Sequence, residues 1–424
     1  MLNPVARTFD SLRVPNYRMF FAGQVVSWTG TWVQWVAHGW LVLRLTDSGL
    51  GLGLVTAVQW LPVLLFGAWA GVIADRFNKR RLLIATNVTA GLLSLILGLA
   101  TVAGVVNLAF VIVIALLLGL VTAVDNPTRQ TFTMEMVGRS RLTNAVSLNT
   151  TTFTTARVLG PTAAGFLIAG VGIGECFLVN AASFIPITIA LLRMDKSELR
   201  PTGALGQQRG QVREGLRYVA SQPVLRTVLV IMAIVGTLQY NFQVILPVLA
   251  KETFAGNATT LGLLGAFLGI GMFVGSLTNA AIGKPARKML LGAGFALGVF
   301  TLLVAMAPTL WVAAILLVPL GAASMAFLAS MNTTLQLNSS DTMRGRVMAL
   351  YFVLFIGSTP IGAPIVGWVA EVFNPETALG LGGVATLVAC AYGYLRLPHV
   401  LSAPEADRSV APEREAQPEL QETS

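Results

Sequence analysis

The chain has 424 residues, 55% of them hydrophobic and only 11% charged, where soluble domains carry about 25% charged residues. That composition excludes a water-soluble globule of this size and makes the bilayer the expected solvent, with roughly 20 apolar residues for each crossing. The net charge of +9 admits nucleic acid as a partner, but the basic residues are spread between apolar runs; two histidines and two distant cysteines, Cys176 and Cys390, leave no histidine metal site or disulfide framework to expect.

Twelve apolar windows follow along the chain, starting near residues 18, 50, 82, 107, 143, 173, 224, 259, 288, 309, 346 and 377. The first follows Arg7, Arg13 and Arg18 and runs to about Leu43. It is too long for a signal-peptide core and is read as a retained span. Along it Gln24, Ser27, Thr31, Gln34 and His38 recur at spacings of 3, 4, 3 and 4, which places them on one helical face. Trp28, Trp32 and Trp35 form a neighbouring stripe. A polar stripe is costly against lipid, so it faces protein or a wet cavity. Both readings stay open, and Gln34 and His38 are taken as candidate substrate contacts. His38 is also the only group within the spans that titrates near neutral pH, and so a candidate proton carrier.

Between spans 2 and 3 lies "GVIADRFNKRR", residues 71–81, with Asp75, Arg76, Lys79, Arg80 and Arg81 crowded into seven positions. Span 5 carries Thr150, Thr154, Arg157 and Pro161 at spacings of 4, 3 and 4. An arginine near the midplane costs roughly 2.5–3.5 kcal/mol on insertion scales. No Asp or Glu is expected well inside a span, so three fates are open for Arg157: capping carbonyls freed around Pro161, reaching Asp125 or Glu175, or receiving an anionic ligand. Residues 195–222 are rich in Gly, Gln and Arg and hold no spanning run; they divide six spans from six. In span 7, Gln239, Asn241 and Gln243 occupy the place corresponding to the polar stripe of span 1. From His399 the chain is rich in Glu, Pro and Gln and reads as a disordered tail.

The halves repeat. "NAVSL" at 144–148 and "GPTAAG" at 160–165 return as "RVMAL" at 346–350 and "GAPIVG" at 362–367, both offset by 202 residues. If the N-terminus is cytoplasmic and the spans alternate, 25 of the 28 Lys and Arg residues fall on the inner side. That bias fits the positive-inside rule and accounts for the net charge without nucleic acid. The expected architecture is an all-α membrane protein of twelve helices in two pseudo-symmetric six-helix bundles. Residues 1–193 and 223–398 form the bundles, 194–222 a cytoplasmic linker and 399–424 a cytoplasmic tail.

"GVIADRFNKRRLL" resembles the loop 2–3 signature of the major facilitator superfamily. "GTWVQWVAHGWLVLRLTDS", "DNPTRQTFTMEMVGRSRLTNAVSLN", "ARVLGPTAAG" and "YNFQVILPVLAKETF" are similar to its enterobactin-exporter-like branch of secretion effectors, which includes drug and macrolide exporters. The resemblance implies alternating access by rocking of the two halves. It implies an inner latch in which the loop aspartate, Asp75, meets the N-terminus of span 11, and Arg76 pairs with Asp125. Gly71, Arg80 and Arg129 complete the latch set. It also implies that Gly160, Pro161 and Gly165 form the span 5 motif of exporters, although Ala164 stands where a glycine is usual.

The functional expectation is a proton-coupled exporter of small amphipathic molecules, siderophore-like or drug-like, with Gln34, His38, Arg157, Gln239, Asn241 and Gln243 as substrate contacts. An importer on the same fold is the alternative. No catalytic grouping, metal spacing or phosphate loop is present in the sequence, so no enzyme activity and no cofactor are expected, and "GIGMFVG" at 269–275 reads as helix packing. The expected partners are a small-molecule substrate, the lipid bilayer and protons, but no nucleic acid, and the protein is taken as a monomer. The expected location is the bacterial cytoplasmic membrane, with both termini in the cytoplasm.

Overall fold

In hydrocarbon no water can satisfy peptide N–H and C=O groups, so a spanning segment must bond to itself as a helix or close into a barrel. The computed structural model describes residues 9–200, 211–282 and 287–397, and among them every apolar window is helical and no strand occurs. Six helices come first: α1 (Pro15–Thr46), α2 (Gly49–Arg76), α3 (Lys79–Val102), α4 (Leu108–Val137), α5 (Leu142–Gly170) and α6 (Ile173–Arg193). A short helix, α7 (Gln211–Ser221), follows. The seventh span is broken into α8 (Pro223–Leu238) and α9 (Phe242–Val248), which continues as a π-helical turn over Leu249–Thr253. Then come α10 (Ala258–Ile282), α11 (Arg287–Ala305) and α12 (Leu310–Leu337). The eleventh span is broken into α13 (Arg344–Ile356) and α14 (Thr359–Val372), and α15 (Pro375–Arg396) closes the set. All twelve observed starts lie within three residues of those expected from the sequence. The proposed tail at 399–424, Arg7, Arg209 and Lys284 lie outside the described residues.

Ten of these helical segments are long and apolar enough to cross a membrane. The two spans outside that set, α1 and α5, are 32 and 29 residues long but carry the polar stripes and Arg157. Their polarity has a use, because both line the central cavity described below. Elsewhere the periphery is apolar: Leu65, Trp69, Phe166, Phe295, Trp311 and Val388 are all exposed. Exposed apolar surface on this scale requires lipid against it.

The helix pairs reveal the internal symmetry. Spans 1 and 6, 3 and 6, 2 and 4, 3 and 4, and 1 and 5 pack together; so do 7 and 12, 9 and 12, 8 and 10, 9 and 10, and 7 and 11. Each pair recurs six spans later. The halves meet chiefly where span 2 packs on span 11 and span 5 on span 8, two contacts that exchange under the same shift. Two bundles related by a pseudo-two-fold axis satisfy this pattern.

The ends of the molecule differ. Turns bearing Arg76–Arg81, Arg139–Arg141 and Arg344–Arg346 share one end, called here the basic end. At the opposite end four helices start with a side-chain cap: Ser48, Asn107, Thr309 and Asn374 accept from Gly51, Phe110, Val312 and Thr377 N–H. Contacts between the halves crowd that far end. A Cβ added at Gly49 would lie 2.9 Å from the Gly367 carbonyl oxygen, and one at Gly262 2.8 Å from Gly165 Cα. Only glycine lets the α2–α14 and α5–α10 backbones approach this closely. Nearer mid-helix, a Cβ added at Gly357 would lie 2.5 Å from Leu64 Cδ1. Among the described residues the halves are held closely together at the far end. α7 packs on the second half, with Glu214 paired to Arg346 at 2.6 Å and the Tyr218 hydroxyl accepting from Ser340 N–H.

Candidate functional site

Where the halves part, α1 and α5 face α9 and α10 across a cavity of about 700 Å³, its open mouth included. Trp32, Trp35 and Arg157 come from the first half, and Phe242, Gln243 and Met272 from the second. The wall is otherwise aliphatic, glycine or proline, and among the described residues Arg157 is its only charged one. Helical spacing explains the wall. Trp32 and Trp35 are one turn apart on α1, Arg157 and Pro161 one turn apart on α5.

The aromatic side chains brace one another. Trp32 stands 5.1 Å from Trp35 and 5.6 Å from Phe153, ring centre to ring centre, and Trp35 stands 5.5 Å from Trp60. On the facing half Tyr240 packs edge-on against Phe242 and Phe355 and donates its hydroxyl to the Ser324 carbonyl at 3.1 Å. Tyr240 sits in the break between α8 and α9.

Arg157 is half-buried, with its guanidinium carbon 5.2 Å from the centre of the Trp32 ring. Among the described residues it has no hydrogen-bond or ion-pair partner. It caps no carbonyl near Pro161. Asp125 pairs with Arg129 at 2.8 Å instead, and Glu175 lies at the far-end start of α6. Two of the three fates open to Arg157 are therefore not the ones adopted. Asp125 itself lies within the 30-residue α4.

Of the six residues expected to contact substrate, only Arg157 and Gln243 reach the cavity. Gln34 accepts from Asn180 Nδ2 on α6 at 2.7 Å. Gln239 donates to Thr301 Oγ1 on α11 at 2.7 Å. Asn241 donates to the Thr237 carbonyl at 2.7 Å, satisfying backbone freed by the break in span 7. His38 is buried away from the cavity, and its Nε2 has no partner among the described residues. Gln34 and Gln239 owe their places to one cause. A polar side chain between packed helices takes the nearest donor or acceptor, and a neighbouring helix supplies it before a cavity does. The tryptophan stripe, not the polar stripe beside it, faces the cavity.

The residues expected to form the latch lie at the basic end. Arg76 is exposed and unpaired among the described residues. Gly71 lies in the last turns of α2, and the Asp75 side chain lies outside the described residues. Arg80 donates to the Leu191 and Leu192 carbonyls at 2.5 and 2.8 Å, capping the C-terminus of α6. Asp125 accepts from Thr86 Oγ1 at 2.7 Å, and Arg129 reaches Gln24 at 3.3 Å. The buried pair at this end is one the sequence reading missed: Lys79 and Glu135, 2.8 Å apart with side chains 8% and 9% exposed. Lys79 stands inside the loop signature, but nothing in the spacing of "TMEMVGR" singles out Glu135. Where the chain leaves α6, Asp195 accepts from Ser197 Oγ and N–H, which hold its carboxyl below the usual carboxylate range.

The span 5 motif serves two neighbours. A Cβ at Gly160 would collide with Trp32, so this glycine seats the cavity tryptophan. Pro161 and Gly165 face α10, where a Cβ at Gly265 would lie 2.7 Å from Pro161 Cβ. At the far end two polar contacts join the halves and were not anticipated. Glu371 of α14 accepts from Ser48 Oγ and from Leu50 N–H, the latter at 2.9 Å, at the N-terminus of α2. Lys251 pairs with Asp47 and donates to the Leu43 carbonyl.

A family model described as "Transmembrane secretion effector" matches residues 6–424. The staphyloferrin A transporter of Staphylococcus aureus is 24% identical over 87% of this chain and 93% of its own length. The multidrug efflux pump Tap of Mycolicibacterium fortuitum is 27% identical over 85% and 90%. The enterobactin exporter EntS of Shigella flexneri is 23% identical over 88% and 90%. Among solved structures, a bacterial homologue of the human lysosomal transporter Spinster, inward-facing and occupied, superposes with a TM-score of 0.72 at 14% identity, covering 91% of this chain and 96% of that one. A D-xylose–proton symporter gives 0.70 at 13%, covering 92% and 98%. At these identities the solved structures speak to the fold.

Proposed function

The chain belongs to the transmembrane secretion effector family of the major facilitator superfamily, and from that premise we propose that it exports small amphipathic molecules, siderophore-like or drug-like, by alternating access coupled to proton entry. The observation that carries this reading is the cavity walled by α1 and α5 on one half and α9 and α10 on the other, beside close backbone approaches between the halves at the far end. A site contacted by both halves is sensitive to their rocking, and the contacts that seal one end can exist in only one conformation. The relatives named as an enterobactin exporter and a multidrug efflux pump support the outward direction.

In this reading the basic end faces the bacterial cytoplasm, with both termini, because Lys and Arg gather on that side. On this reading the cavity opens inward in one state of the cycle, with Arg157 and Gln243 among the substrate contacts. The return stroke parts α2 from α14 and α5 from α10 at the far end, and brings the loop 2–3 cluster to the start of α13.

Inverted vesicles with an imposed pH gradient test the proposal. Accumulation of siderophores, macrolides or dyes that collapses with the gradient is the expected result. Accumulation confined to right-side-out vesicles would make the protein an importer, and gradient-independent flux would remove proton coupling.

A further inference from the structure

Arg157 poses a problem that the rest of the protein leaves unsolved. It is the only charged residue on the cavity wall, and no carboxylate among the described residues pairs with it. The ring of Trp32 is its one close electrostatic partner on the same half. Across the cavity Tyr240 has already committed its hydroxyl hydrogen to Ser324. A guanidinium presents five N–H donors in a planar fork that matches a carboxylate or phosphate. Here the fork adjoins a space walled by Trp32, Trp35, Phe242 and Met272, with Gln243 as a further hydrogen-bonding group.

We propose that the cavity takes an organic anion: an acid group held by Arg157, joined to a flat aromatic or apolar body lying against Trp32, Trp35 and Phe242. This deepens the exporter reading and rests on it for the site. The anion neutralises Arg157 on the first half while its body touches the second, so one ligand draws the halves together. A cationic amphiphile of the same shape is excluded by the unpaired charge.

The test uses the full chain in phosphatidylcholine nanodiscs, with probe-only discs subtracted. The probes are pyrene-1-butyrate, its neutral counterpart pyrene-1-butanol and the cation pyrene-1-butylamine, read by quenching of tryptophan emission. Charge-assisted hydrogen bonds predict that the carboxylate binds roughly 10- to 100-fold more tightly than the alcohol. Arg157→Gln should erase that preference, and Arg157→Lys should keep part of it. Equal or tighter binding of the alcohol or the amine by the wild type would overturn the proposal without any variant having to fold. So would no measurable binding of the carboxylate, or an unchanged preference in Arg157→Gln.

An acid group could be supplied by a soluble solute or by a lipid. Repeating the titration with phosphatidylglycerol in the discs separates them. Weakened carboxylate binding in the wild type alone would support the site with a lipid anion as its occupant; indifference to that lipid would support it with a soluble one. Carboxylate binding without vesicle transport would sink the exporter reading and leave this one standing. Gradient-driven export restricted to cations and neutral solutes would do the reverse.

Discussion

Lys79 and Glu135 form an ion pair with almost no access to water, and such pairs are costly to halve. Glu135→Gln leaves a buried ammonium facing an amide, and removing one partner of a buried pair costs about 3–5 kcal/mol. Detergent-solubilised Glu135→Gln should therefore unfold at markedly lower temperature, while the double variant Lys79→Met/Glu135→Leu should recover most of the loss; an unchanged midpoint in the single variant would contradict the pairing. Gln34 lies at the other extreme. Its bond to Asn180 ties α1 to α6, and side-chain hydrogen bonds between membrane helices average only about 0.6 kcal/mol. Gln34→Leu should lower stability slightly and leave substrate affinity intact, whereas a large loss of affinity would return Gln34 to the cavity. At this scale sequence periodicity grouped Gln24, Ser27, Thr31, Gln34 and His38 on one face correctly. It could not tell whether that face met a cavity or another helix, because both environments demand the same polar residues. Arg157 was legible because it is the one charged residue in the sequence of α5, but its lack of a partner among the described residues required coordinates.

The breaks and close approaches of the helices set where the molecule can open. Span 7 is interrupted at Gln239–Asn241 and span 11 at Gly357–Ser358, both near mid-length. Pro360 at the start of α14 lacks the N–H that would continue a helix, which helps explain the second break. Neither interruption was expected from hydropathy, which averages across them. At the far end Glu371 places a carboxylate on the N-terminus of α2, where the helix dipole favours it by about 1 kcal/mol or less at an exposed site. Glu371→Gln should weaken that closure and raise the share of molecules open at the far end by up to about fivefold. Maleimide labelling of a cysteine placed at the cavity and approached from that side measures the share, and an unchanged rate would show that the contact does not hold the end shut. The α5–α10 crossing is stricter. Gly262→Val inserts a branched side chain where a Cβ alone would come within 2.8 Å of Gly165. It should push the halves apart at the far end and abolish transport while the protein still reaches the membrane.

At the scale of the whole molecule the sequence was most informative. The offset of 202 residues between "NAVSL" and "RVMAL" anticipated that the main helix pairs of one half recur in the other. Repetition survives in packing because glycines that permit close approach are repeated, Gly160 and Gly165 returning as Gly362 and Gly367. The conformational state was not legible, since one sequence must support both the closed and the open arrangement of each end. The most direct test of the alternating-access account is a pair of electron–electron distance measurements in proteoliposomes. One pair of spin labels replaces the exposed Arg81 and Lys288 at the basic end, and the other replaces the exposed Val105 and Met306 at the far end. The account predicts two populations whose weights shift with ligand and pH gradient, the first distance shortening as the second lengthens. Distances that stay fixed under every condition, or that widen together at both ends, would contradict it.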